Sequence, residues 1–150
     1  MELKKTRFCG RYALSLGLIS LLGCIVLFIL TQVGVIHKPV ENPDLSQGIS
    51  YAFALVFFVL YLLIQAFISL YNIICGTVVT KSVAKNKNAK VFLWVSAIIE
   101  LVFAIVCGIN IFLVWGFGFI VGGIFGLLCT MGNAICAVLC VFSAKESKNT

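Results

Sequence analysis

The sequence predicts an all-α polytopic membrane protein: residues 1–150 form a single domain, a compact bundle of four transmembrane helices. Three observations predict it. Hydrophobic residues make up 62% of the chain and charged residues 11%, with a mean hydropathy of +1.17, which lies outside the range of soluble globular domains. Four stretches reach the roughly 20 apolar residues that a bilayer crossing takes: 12–31, 49–76, 91–115 and 117–142. Each carries one narrow stripe of small or polar residues at helical spacing, the pattern of a left-handed bundle crossing at about 20°.

The first span places Ala13, Gly17, Ser20 and Cys24 on its stripe. The preceding basic residues and LISLLGC resemble a lipoprotein signal. IVLFIL continues the apolar run beyond Cys24, however, so an uncleaved helix is expected. The second span carries Tyr61, Gln65, Ser69, Asn72 and Gly76, and the third Ala97, Glu100, Ala104 and Cys107. The fourth begins with Gly118, Gly122 and Gly126 and continues through Cys129, Asn133, Cys136 and Cys140. Its glycines form a small-xxx-small seam that lets another backbone approach closely.

Charge orients the spans. Lys4, Lys5, Arg7 and Arg11 precede the first, Lys81, Lys85, Lys87 and Lys90 separate the second from the third, and Lys145 and Lys148 follow the fourth. Only Lys38 falls on the other side. By the positive-inside rule both termini and the middle loop are cytoplasmic, and the net charge of +6 reflects topology, not nucleic-acid binding. The same residues can attract anionic lipid at the cytoplasmic face. Tyr12, Tyr71 and Trp94 fall near that interface, and Tyr51 and Trp115 near the outer one.

Glu100 interrupts the apolar run WVSAIIELVFAI. A carboxylate at mid-span costs roughly 2.5 to 3.5 kcal/mol on insertion scales, so the fold must receive it. Counting about 1.5 Å per residue from the cytoplasmic end of each span puts Glu100 about 14 Å deep, Gln65 about 16 Å, Asn133 about 14 Å and Ser20 about 13 Å. One midplane polar layer is therefore expected, in which Gln65, Asn133 or Ser20 receives a Glu100 whose burial favours the neutral acid. The layer is either interhelical glue or an ion, proton or substrate site. On this reading Glu100→Leu strands Gln65 or Asn133 and costs about 1 to 2 kcal/mol.

None of the seven cysteines lies in the outer loops, so they are not a disulfide framework. Cys9, juxtamembrane and among basic residues, has the setting of reversible palmitoylation, with an unmodified thiol as the alternative. His37, Glu41 and Asp44 meet no metal-ligand spacing, so no metal is expected. With one histidine, outside the spans, and no nucleophile beside a base, the chain is not expected to be an enzyme or to hold a cofactor.

YAFALVFFVLYLLIQAFISLYNII, followed by a basic loop and a third span with a central acid, resembles the MARVEL-like four-span proteins of vesicles and cell junctions. The short outer turn at 115–117 departs from that pattern. The fourth span and VFSAKES are similar to the membrane-spanning four-domain family. Both resemblances imply a non-enzymatic membrane organiser, scaffold or trafficking component whose partners are lipid, other membrane proteins or further copies of itself. The alternative is a small oligomeric channel or transporter component with its site around Glu100.

Overall fold

The computed structural model describes residues 4–33, 44–84, 90–116 and 119–146. Among them are four helices, α1 (Lys4–Gln32), α2 (Leu45–Ala84), α3 (Lys90–Gly116) and α4 (Ile120–Glu146). All four are long and apolar enough to cross a membrane. Helices suit this solvent because each satisfies its own backbone polar groups where no water is available. Side-chain donors follow the same rule: Thr31, Thr77, Thr80 and Thr130 each turn back onto the carbonyl four residues earlier, at 2.7 to 2.9 Å. Gly118, Lys38, His37, Glu41, Lys85, Lys87 and Lys148 lie outside the described residues, as does the side chain of Trp115.

The start of α2 is capped. The Gln47 side chain accepts from the Asp44 backbone N–H at 3.4 Å, and the Asp44 carbonyl receives the Gly48 N–H at 2.9 Å, in the manner of a capping box. At its other end α2 runs eight residues past Gly76, where hydropathy alone ended the second span, because Gly76 is a contact point and not a stop. A Cβ there would meet Leu14 N at 2.5 Å and Gly10 O at 2.6 Å. Gly17 likewise faces Ser69 O at 2.6 Å. These glycines bring the α1 and α2 backbones together, the close approach that drives helix association in lipid.

Successive helices run antiparallel, so the starts of α1 and α3 and the ends of α2 and α4 share one end of the bundle. Lys4, Lys5, Arg7, Arg11, Lys81, Lys90 and Lys145 are all at this terminal end. Helices α1 and α2 form one tight pair and α3 and α4 another; α1 packs on α4, while α2 and α3 touch least. Across the α1/α4 seam Cys9 faces Cys140, Leu16 fills the space at Gly132, Ser20 faces Cys129 and Phe125 fills the space at Gly23. Between α2 and α3 an apolar cleft of about 210 Å³ remains, lined by residues including Phe57, Tyr61, Asn110 and Phe119.

The interior has three tiers. Farthest from the termini is an aromatic cluster in which Phe58 stacks on Phe119 at 4.3 Å, beside buried Leu27, Ala54, Tyr61, Leu62 and Val114. At the terminal end Cys9, Cys75, Cys136 and Cys140 pack with Ala13, Val79, Leu93, Ala97 and Ala144. A polar band lies between. Helices α2 and α4 are diagonal, and side chains of α2 reach α4 and the residue before it at a constant offset: Phe58 to Phe119, Tyr61 to the Gly122 carbonyl, Asn72 to Asn133.

The glycine seam of α4 serves a different purpose from the expected one. Gly122 accommodates the Phe58 ring, whose Cε2 would lie 2.5 Å from an added Cβ, and Gly126 accommodates the Tyr61 hydroxyl, which would lie at 2.6 Å. Aromatic side chains from α2 occupy the space that the spacing suggested for a second backbone. Tyr61 also donates to the Gly122 carbonyl at 3.0 Å.

Candidate functional site

The polar band draws on all four helices. Ser69 Oγ of α2 lies 2.8 Å from Ser20 Oγ of α1 and 2.7 Å from the Gln65 carbonyl, and donates to one or the other. Ser20 in turn lies 3.4 Å from Cys129 Sγ of α4. Gln65 Nε2 donates to Cys107 Sγ of α3 at 3.1 Å, Asn133 Nδ2 approaches the same sulfur at 3.7 Å, and Asn72 Nδ2 donates to Asn133 Oδ1 at 3.0 Å. Ser20, Gln65 and Asn133 thus belong to one connected set, all of them buried.

Glu100 stands apart from it. The side chain is fully buried, and neither carboxyl oxygen has a hydrogen-bond partner among the described residues. Its electrostatic neighbours are the thiols of Cys75, Cys9 and Cys136. The expectation that Gln65, Asn133 or Ser20 receives this acid is therefore corrected. Hydropathy ends the second span at Gly76, whereas α2 continues to Ala84, so Gln65 lies about 12 Å farther from the helix end than a count from Gly76 gives. Glu100 instead belongs to the thiol tier. Beside that tier Tyr71 OH donates to Ser96 Oγ at 3.3 Å and packs edge-on against Phe103 at 5.2 Å, and Cys75 lies 3.5 Å from Ser96 Oγ.

Cys9 is also placed differently from its expected setting. It is 1% exposed, with its sulfur 3.4 Å from Cys140 Sγ. The helical phase of α1 carries it on the same face as Ala13, Gly17 and Ser20, so in this packing the thiol faces α4. All seven cysteines are free and buried. Among the described residues no three His, Cys, Asp or Glu side chains are arranged to hold a metal ion.

Four interior oxygens other than those of Glu100 show the same imbalance. Thr6 Oγ1, Gln65 Oε1, Asn72 Oδ1 and Ser143 Oγ are buried without a partner among the described residues. The sequence reading did not assign Cys107 as the acceptor of two amides, nor Ser96 as the partner of Tyr71 and Cys75. Cys107 was visible as a stripe position. Ser96 sits one residue before the stripe residue Ala97 and was hidden by that offset.

Compared with protein-family models, with curated proteins and with solved structures, the chain matches none.

Proposed function

We propose that this protein is a non-enzymatic tetraspan that works as a membrane organiser, scaffold or trafficking component through the outer faces of its helices. The observation that carries this reading is the division of the surface. The polar stripe of each helix is turned inward, where Gln65 bonds to Cys107, Ser69 lies against Ser20 and Asn72 bonds to Asn133. The outward faces present large apolar side chains such as Phe67, Ile98, Phe112 and Leu128, each more than 60% exposed. Such a surface engages lipid, other membrane spans or a second copy of the chain. This is the role implied by the resemblance to MARVEL-like four-span proteins and to the membrane-spanning four-domain family, which rests on sequence pattern alone.

The basic terminal end is the cytoplasmic one in this proposal, where its lysines and arginines attract anionic lipid. A cysteine at Lys87, in a variant without native cysteines, is then modified by an impermeant maleimide only after cells are permeabilised. Modification in intact cells overturns the orientation.

A second reading, a channel or transporter component, is favoured by one observation: the fully buried Glu100 carboxyl without a hydrogen-bond partner among the described residues, since an acid inside a membrane marks ion and proton paths. Reconstitution in liposomes separates the two. The organiser reading expects proton, sodium and potassium flux no greater than in protein-free vesicles. A flux that Glu100→Gln abolishes replaces it with the second.

A further inference from the structure

We propose that Cys9 and Cys140 are an oxidisable thiol pair whose disulfide staples the two halves of the bundle together. The proposal stands apart from the organiser reading, because it concerns only the seam between α1 and α4. The two sulfurs lie 3.4 Å apart in the dithiol state. Disulfide formation brings them to the S–S bond length of about 2.05 Å. Their surroundings hold them in place. Each belongs to the buried cluster at the terminal end, and both positions are 1% exposed or less.

The pair occupies the place where a covalent link has most effect. Helices α1 and α2 are joined by backbone contacts at Gly10, Gly17 and Gly76, and α3 and α4 pack extensively on each other. The two hairpins meet chiefly across α1/α4, because α2 and α3 touch least. A bond from residue 9 to residue 140 spans almost the whole chain and ties one hairpin to the other at the terminal end.

In this proposal a small oxidant enters along the same seam. At the terminal end it opens outward into a groove of about 460 Å³ lined by Lys4, Lys5, Phe8, Leu139, Phe142 and Ser143. Phe8 and Leu139 are the sequence neighbours of Cys9 and Cys140. A neutral, membrane-permeant peroxide is the oxidant class that fits an apolar groove of this size. The Cys9 sulfur attacks one peroxide oxygen as it gives up its proton, giving the sulfenic acid, and the departing hydroxide takes that proton to leave as one water. The Cys140 sulfur then displaces the sulfenic hydroxyl as a second water. Two thiols are oxidised by two electrons in total, and hydrogen peroxide is reduced to two waters. A low-molecular-weight thiol reverses the step by exchange. In the cytoplasmic orientation the dithiol is the resting form.

The test uses the full chain in isolated membranes. Membranes are treated with hydrogen peroxide, quenched with N-ethylmaleimide and solubilised, and the protein is analysed by intact mass and non-reducing peptide mapping. The expected result is loss of two hydrogen atoms and two maleimide adducts, with Cys9 and Cys140 recovered in one linked peptide. The melting temperature in detergent rises and returns to its starting value after dithiothreitol. Cys9→Ser and Cys140→Ser each abolish the link and the rise, whereas Cys24→Ser, at a cysteine on the same helix outside the cluster, retains both. The wild-type map alone decides the matter if a variant fails to fold. Recovery of Cys9 and Cys140 as separate alkylated peptides overturns the proposal, as does a disulfide that maps to another pair.

Discussion

Replacing Gly76 by alanine is expected to destabilise the protein strongly, and Gly76→Leu to prevent the native α1/α2 packing. An added Cβ at this position meets Leu14 N at 2.5 Å, Gly10 O at 2.6 Å and Leu14 Cα at 2.9 Å. All three are backbone atoms of α1, so no side chain can rotate away and the helices must separate. Overpacking a well-filled interior costs about 1 to 3 kcal/mol, and a contact with backbone on every side belongs at the upper end, about 3 kcal/mol. Thermal melting in mild detergent measures the effect. Gly108→Ala is the matched control, because its nearest neighbour would be Thr130 Cγ2 at 4.0 Å, and it is expected to melt at or slightly above the wild-type temperature. Gly122→Ala falls between the two, since the obstacle there is the Phe58 ring. A Gly76→Ala protein that melts like wild type would show that α1 and α2 are not held by this contact.

Glu100→Leu and Glu100→Met are expected to raise stability by about 1 to 3 kcal/mol, the penalty for burying a polar group that makes no hydrogen bond. The sign is opposite to the one the sequence suggests. There, leucine strands Gln65 or Asn133; in the structure the Gln65 amide donates to Cys107, and Asn133 is bonded to Asn72. Removing the carboxyl therefore leaves no donor behind, while two unpartnered oxygens disappear. Glu100→Gln is expected to lie near wild type, because it replaces one buried polar group by another. Melting curves of the three variants in one detergent decide the question. A loss of stability in Glu100→Leu comparable to the predicted gain would mean that the carboxyl is bonded in the folded protein. Retention of so unfavourable a group is itself the reason to measure flux alongside stability.

Much of the architecture was legible because lipid makes two demands that show directly in residue type. A crossing must be apolar for about 20 residues, and a helix that packs in lipid needs one stripe of small or polar residues. The stripes Ala13–Gly17–Ser20–Cys24, Tyr61–Gln65–Ser69–Asn72–Gly76 and Ala97–Glu100–Ala104–Cys107 are all buried, as their spacing required. Periodicity locates a face, however, and says nothing about the register in which two faces meet. Register decided that Gly76 and Gly17 receive backbone while Gly122 and Gly126 receive aromatic side chains. It also decided that Cys9 meets Cys140 across 131 positions of chain.

By itself the sequence determined that four helices cross a membrane, which residues line the interior, and that the basic residues gather at one end. These follow from transfer free energy and helical period, which act locally along the chain. Only the tertiary structure decided which interior groups touch. The length of α2 shifted Gln65 relative to Glu100, grouping the acid with the thiols of Cys9, Cys75 and Cys136 and leaving the amides to Cys107. Hydrogen bonds and close packing act over a few ångströms, so a displacement of two helical turns exchanges every partner while leaving the hydropathy pattern of each helix unchanged.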